Sequence, residues 1–249
     1  MYDIAINRYL RRSGHINVVP RAALIDMDGT LYDSMPRHAL AWRQMMSEIG
    51  VDVPTDEFFR YEGRTGASTI RILFDRYLGR EASDEECREL YRRKTEIFSS
   101  LPPVNPMPGA KQMLDFLKLI GVKRVLVTGS GQNSLLNRLD EDFPGIFTPE
   151  LRVTSRDVVH GKPDPEPFLM ALKKADVRPW EAIVIENAPL GVESGSRAGL
   201  FTCGINTGPL DIRELEEAGA DAVFPSMEQF AESLPMLIYG FVTIMNNPN

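Results

Sequence analysis

From residue 21 onward, short apolar runs alternate with stretches of helical periodicity, and this alternation constrains the fold more than any other feature. "AALIDMD" (22–28), "RVLVTGS" (124–130) and "AIVIEN" (182–187) read as buried strands, with "LFTCGIN" (200–206) and "DAVFPS" (221–226) as shorter, weaker versions. Between and around them lie "GAKQMLDFLKLIG", "GQNSLLNRLDEDF", "EPFLMALKKADV" and "LGVESGSRAG", all with helical spacing. Strands alternating with helices of this length predict an α/β fold with a parallel sheet doubly wound by helices on both faces. In such folds ligands gather at the carboxyl ends of the strands.

One stretch breaks the pattern. Between residues 34 and 103, "MPRHALAWRQMMSEIG", "GASTIRILFDRYLG" and "SDEECRELYRRKTEIFSSL" are helical with no convincing strand among them. The proline-rich "LPPVNPMPGA" that follows suits an extended linker. The expected organisation is therefore an α/β core formed by 21–33 and 104–235, with an all-helical cap, 34–103, inserted after the first strand. Residues 1–20 are an N-terminal extension and 236–249 a C-terminal tail, either a packing segment or a disordered end. Asp33–Pro36 and Leu101–Pro106 are the hinge candidates.

Bulk properties narrow the function classes. A net charge of -7 gives no basic footprint for nonspecific nucleic-acid binding. No run of apolar residues is long enough to span a membrane, and the N-terminal segment lacks a secretory apolar region. Cys87 and Cys203 suggest neither a disulfide scaffold nor a zinc site, so two free thiols in a reducing cytoplasm are expected.

The chemistry concentrates at strand ends. In "LIDMDGTLYDS" (24–34), Asp26 and Asp28 share one face if the chain stays extended, and Gly29 permits a tight departure. An EF-hand fails on spacing, and an Asp-x-Asp pair alone reads equally well as two capping acids. Thr128-Gly129-Ser130 supplies a hydroxyl and backbone N–H groups suited to a phosphate-like oxyanion. "GSGQNS" is a poor dinucleotide fingerprint, since Ser134 takes the third glycine's place. "HGKPDPEPF" holds Lys162 before a rigid Pro-x-Pro, and "IVIENAPLG" brings Glu186 and Asn187 to another strand end, where paired oxygens suit a hard cation.

In chain order these four segments resemble the motifs of the haloacid dehalogenase superfamily, and the inserted helices resemble its small helical cap over a Rossmann-like core. "AW" at 41–42 and "EGRTGAST" at 62–69 narrow the resemblance to the β-phosphoglucomutase-like branch, and the combined motifs look most like that branch's inorganic pyrophosphatases. The resemblance implies a Mg²⁺-dependent hydrolase in which Asp26 is the nucleophile, forming an aspartyl phosphate, and Asp28 the general acid and base. It places Thr128, Gly129, Ser130 and Lys162 around the phosphoryl oxygens. Asp26, Asp28 through its carbonyl, Asn187 and possible partner Glu186 fall at the metal.

Two positions depart from the mutase pattern. Asn187 stands where an acid pair is usual, and Glu62 stands where the cap loop usually carries lysine. A carboxylate has left the core and one has entered the lid, so Glu62 is expected to close onto Mg²⁺ and leave room only for a small anion such as pyrophosphate. Arg64, Lys94 and His38 are weaker cap candidates for substrate contact. The rival readings are a sugar-phosphate phosphatase or β-phosphoglucomutase, and a noncatalytic metal- or phosphate-binding module.

Overall fold

A computed structural model describes residues 2–131 and 133–246. In chain order the regular elements are α1 (Asp3–Ser13), β1 (Ala22–Ile25), α2 (Met35–Glu48), α3 (Gly66–Leu78), α4 (Asp84–Ser100), α5 (Ala110–Leu119) and β2 (Lys123–Val127). They continue as α6 (Asn133–Asp142), β3 (Arg152–Val153), α7 (Glu166–Ala175), β4 (Ala182–Glu186) and α8 (Pro189–Arg197). The chain closes with β5 (Phe201–Ile205), α9 (Ile212–Glu217), β6 (Ala222–Phe224) and α10 (Met227–Asn246).

The six strands form one parallel sheet in the order β3-β2-β1-β4-β5-β6. Successive residues of β1 serve different cores: Ala23 and Ile25 join the one closed by α5 and α10, whereas Ala22 and Leu24 join the one beneath α7. In β4, Ile183 and Ile185 face the first and Ala182 and Val184 the second. Side chains alternate across a strand, so a sheet covered on both faces needs apolar residues at every position, which is why these strands read as unbroken apolar runs.

β1 ends earlier than the apolar run suggests. The Asp26 N–H still bonds the Ile185 carbonyl at 3.0 Å. Beyond it the chain folds back, with the N–H groups of Leu31 and Tyr32 bonding the Met27 carbonyl at 2.9 and 3.1 Å. Leaving and returning linkers then run side by side: Asp33 N–H bonds Asn105 O at 3.0 Å, and Met107 N–H bonds Leu31 O at 2.8 Å. Between them α2, α3 and α4 pack together as a cap, Trp42 of α2 stacking with Phe58 and tilting against Tyr91 of α4.

Both ends of the chain belong to the α/β core, which revises the boundaries expected from sequence. Helix α1 buries Ile6 and Tyr9, and the Tyr9 hydroxyl donates to the Gly199 carbonyl at 2.9 Å. Arg12 meets the buried Asp221 carboxylate at 2.9 Å. At the other end α10 runs through Pro235, with Leu237 and Phe241 buried, so 236–246 is packed helix rather than a loose tail. Pro235 is exposed, and the missing N–H costs only one helical bond on the solvent side. The two-residue β3 was not anticipated. Helix α6 falls in the predicted segment, with Gln132 outside the described residues, as are Met1 and 247–249. Cys87 and Cys203 are buried and unpaired, and among the described residues no helix is long and apolar enough to cross a membrane.

Candidate active site

The carboxyl ends of β1, β2 and β4 meet below the cap, and the floor of the site is organised by one buried cation. Lys162 Nζ donates to Asp26 Oδ1 at 2.6 Å, to Glu186 Oε1 at 2.6 Å and to the Val127 carbonyl at 3.0 Å. Burial by itself would lower the Lys162 pKa, but the Asp26 and Glu186 carboxylates outweigh it and hold the ammonium charged. Glu186 Oε2 also accepts the Ala188 N–H at 2.8 Å. Its oxygens clamp the lysine and the following turn, a role the sequence reading did not separate from metal binding. The fit is close: a Cβ at Gly191 would lie 1.8 Å from Glu186 Oε1.

Asp26 is pushed up to about 8, first by burial, against the pull of Lys162, and further by the fields of Glu186 and Asp28. Lys162 holds Oδ1, so the other carboxylate oxygen carries no bond to the lysine. Beside it Thr128 Oγ1 accepts the Ser130 N–H at 3.0 Å, shaping the Thr128-Gly129-Ser130 turn that lines the pocket.

Asp28 is held from the cap side. Its Oδ1 accepts bonds from Ser34 Oγ at 2.7 Å and His38 Nε2 at 2.8 Å, and His38 Nδ1 meets Lys94 Nζ at 2.6 Å. These contacts are all satisfied by a neutral imidazole that carries its proton on Nε2 and accepts from Lys94. Burial, then the Lys94 charge, keeps the His38 pKa below its usual value, so neutrality is the favoured state. Burial would raise Asp28, but the His38 ring and the His38 and Ser34 bonds outweigh it and hold the carboxyl low.

The roof comes down onto the floor through Glu62. Asn187 Nδ2 donates to Glu62 Oε1 at 2.7 Å, while Asn187 Oδ1 accepts from Thr30 at 3.2 Å. Gly29 makes this meeting possible: at φ +77° it takes a conformation L side chains avoid, and a Cβ there would lie 2.0 Å from Asn187 Nδ2 and 2.6 Å from Glu62 Oε1. The acid pair is followed by a glycine because the lid closes over that spot. A second glycine contact seals the opposite side, since a Cβ on Gly129 would fall 2.4 Å from the Gly63 carbonyl of the cap loop. A partly open space of about 60 Å³ remains, lined by Asp26, Asp28, His38, Glu62, Arg64 and Lys94 among others. Arg64 Nε is buried with no hydrogen-bond partner among the described residues.

The profile of the haloacid dehalogenase-like hydrolases matches residues 20–199. The chain belongs to this family. It is similar to the phosphorylated carbohydrates phosphatase of Thermotoga maritima, 30% identical over 204 residues that cover 81% of this chain and 93% of the relative. It is also similar to the β-phosphoglucomutase of Bacillus subtilis, 28% identical over 86% of this chain and 100% of the relative. Among solved structures it is similar to a Bacteroides vulgatus protein provisionally described as a β-phosphoglucomutase. That match has 47% identity and a TM-score of 0.93, over 96% of this chain and 98% of that one. The β-phosphoglucomutase-like branch is thus supported, whereas the nearer resemblance to pyrophosphatases has no counterpart among these relatives, whose names specify sugar phosphates.

In this haloacid dehalogenase-like hydrolase Asp26, Asp28, His38, Glu62, Arg64, Lys94 and Thr128-Gly129-Ser130 line one cavity, while Lys162 and Glu186 lie behind Asp26 and Asn187 behind Glu62. Sequence reading missed Ser34, Thr30 and Tyr91, although Tyr91, Lys94 and Phe98 share a helical face by spacing. Among the described residues no three His, Cys, Asp or Glu side chains converge at metal distance, because Asp28 is held by His38 and Glu62 by Asn187. The donor chemistry nevertheless fits Mg²⁺. Asp26, Asp28, Glu62 and Glu186 crowd together, and burial followed by its acidic neighbours lifts Glu62 well above the usual carboxylate range despite the Asn187 bond. That excess of buried carboxylate calls for a hard cation. Asp26, the Asp28 carbonyl, Asn187 and Glu62 are the oxygens that would hold it. Bound there, Mg²⁺ supplies neutralising charge between an anionic nucleophile and an anionic phosphoryl group.

Proposed function

We propose that the chain is a Mg²⁺-dependent phosphohydrolase whose preferred substrate is inorganic diphosphate. The observation that carries this reading is the Glu62–Asn187 contact, which brings a lid carboxylate to the floor and leaves about 60 Å³. Such a space admits roughly four to six water-sized groups, which suits a compact anion better than a hexose phosphate.

The free oxygen of Asp26 attacks one phosphorus atom, forming an aspartyl–phosphorus bond as the bridging P–O bond breaks and phosphate departs. Lys162 orients the nucleophile, and the Thr128 hydroxyl hydrogen and the Gly129 N–H are offered to the transferring oxygens, the Thr128 and Ser130 N–H groups being bonded within the fold. Asp28, fixed by Ser34 and His38 and held as a carboxylate, takes a proton from the water that hydrolyses the aspartyl phosphate, and the proton it then carries goes to the leaving oxygen of the next turnover. Arg64 is placed for the far phosphoryl group. A lid that seats over the floor excludes bulk water during transfer.

A second reading, hydrolysis of small phosphorylated carbohydrates, is favoured by the names of the relatives. Comparing kcat/KM for diphosphate with that for a panel of hexose and glycerol phosphates, with and without Mg²⁺, separates them. Diphosphate should lead the panel; a sugar phosphate that outperforms it overturns the first reading in favour of the second.

A further inference from the structure

Gly29 lets the lid meet the floor, but a residue without a Cβ moves freely between backbone conformations, so a glycine turn has little of its own to hold it. Its two peptide planes are fixed by other means. The Asp28–Gly29 plane is held locally, the Gly29 N–H bonding the Tyr32 carbonyl at 2.8 Å. The Gly29–Thr30 plane is held from far along the chain. Thr207, in the loop that leaves β5, donates its hydroxyl to the Gly29 carbonyl at 2.5 Å. Thr207 is itself set by a tight turn, its N–H bonding the Ile205 carbonyl at 2.9 Å. A peptide is planar, so fixing that carbonyl also fixes the point from which Thr30 departs. The fully buried Thr30 gives its hydroxyl hydrogen to Asn187 Oδ1, and Asn187 Nδ2 is left for Glu62. An amide oxygen accepts twice, so Oδ1 keeps a lone pair for a cation.

We propose that Thr207 is a positioning residue for the metal site. Through the Gly29–Thr30 peptide it aims Thr30 at Asn187, and so holds the amide with its oxygen committed to Thr30 and the ion and its nitrogen to the lid. Thr207, Thr30 and Asn187 all belong to the α/β core, so this orientation is set before the cap closes. Resting on the Mg²⁺ reading of the site, this makes ion binding depend on a hydroxyl outside the catalytic cavity, in a separate cleft that Thr207 lines with Gly29, Asn187 and Phe59.

Mg²⁺ binding is measured by titration calorimetry on the whole chain without substrate, and phosphate release from diphosphate is followed against Mg²⁺ concentration, for wild type, Thr207→Val and Thr207→Ser. Thr207→Val keeps nearly the same shape without the hydroxyl, and should raise the calorimetric Mg²⁺ dissociation constant by about tenfold, the scale on which outer partners of metal ligands act. The Mg²⁺ concentration for half-maximal turnover should rise in parallel, while kcat at saturating Mg²⁺ holds, because the loss lies in binding rather than in the transition state. Thr207→Ser keeps the donor and should bind Mg²⁺ as wild type does. In a Thr30→Val background Thr207→Val should add nothing, since both act through one line of contacts. Thr207→Ala carries the measurement should Thr207→Val fail to fold.

An unchanged Mg²⁺ dissociation constant in Thr207→Val, whether or not its Tm falls, overturns the proposal and leaves Thr207 a residue of the fold. A fall in kcat at saturating Mg²⁺ without a change in binding does the same, as do additive effects of the two threonines. Absence of Mg²⁺ binding in wild type would instead overturn the Mg²⁺ reading, and the role of Thr207 with it. The calorimetric result is independent of which phosphate substrate is preferred, so it decides for or against Thr207 even if diphosphate is not hydrolysed.

Discussion

Lys162 in the floor and Lys94 in the roof are equally buried, at 2% and 3% exposure, and are held in opposite ways. Lys162 lies between two carboxylates and a carbonyl, and its charge is locked in. Lys94 has one neutral ring nitrogen as its hydrogen-bond partner and the faces of Trp42, Tyr91 and Phe98 within 5.1, 5.9 and 5.2 Å. Burial lowers its pKa to about 7, against the raising influence of Asp28. The floor balances its charges internally, as a permanent scaffold must. The roof carries a charge whose one raising influence is Asp28 on the floor below it.

The contrast is tested most severely at the nucleophile. Asp26→Asn keeps the shape of the floor while removing the oxygen proposed to attack, and on that proposal should lower kcat by roughly 10⁴-fold or more for any phosphate substrate, as losing a covalent nucleophile does. Stopped assays of phosphate release measure it; residual turnover near wild type would remove the aspartyl phosphate from the account.

Lys162→Met should come next, and chiefly as diminished stability. Removing one member of a buried ion cluster leaves Asp26 and Glu186 uncompensated, at a cost of about 3–5 kcal/mol. For a chain of this length that is a fall of roughly 6–20 °C in Tm. Adding Mg²⁺ should recover part of it, since the cation neutralises the same carboxylates. An unchanged Tm would show that the floor is not organised by this lysine.

Lys94→Met should behave in the reverse manner. An aromatic-lined site accepts a thioether readily, so Tm should hold or rise. Without an ammonium donating to its Nδ1, the His38 ring no longer fixes Asp28, and kcat should fall by about 10²-fold, the lower range for general acid–base catalysis. Calorimetry and steady-state kinetics on one preparation suffice. A fall in Tm with unchanged kcat would make Lys94 a structural residue.

How much of the molecule is legible in its sequence follows from the same division. The floor can be read because each of its residues stands in a short motif at the end of an apolar run: Asp26 after "ALI", Thr128 after "VLV", Glu186 and Asn187 after "IVI". A parallel sheet turns those separate motifs into neighbours, so strand periodicity is enough to bring them together. The roof can be placed as helical but not in register. That Glu62 meets Asn187 depends on the linkers beside Leu31 and Asn105 and on the close approach allowed by Gly29, Gly63 and Gly129, none of which is a periodic signal. Helix α1 is illegible for another reason: its contacts with Gly199 and Asp221 span almost the whole chain. Pro235 reads as an end, since nothing local shows that it faces solvent.

The smallest effect tests the roof charge itself through pH. In the folded chain Lys94 titrates near 7, whereas its ordinary value is 10.5. Between those two values the unfolded chain binds more protons than the folded one, so stability rises with pH across that window. Below about 7 both states are protonated, and the contribution is constant. The groups facing Lys94 are His38, Asp28 and three aromatic rings; His38 and Asp28 are both depressed below their usual ranges and titrate beneath the window. Lys94→Met lacks the titration, so the difference in stability between wild type and variant isolates it. That difference should move in favour of wild type from pH 7 to 9, by at most about 1.4 kcal/mol per pH unit, and stay flat below pH 6. A flat difference throughout would mean that Lys94 keeps its charge in the roof as firmly as Lys162 does in the floor, and the contrast between the two regions would dissolve.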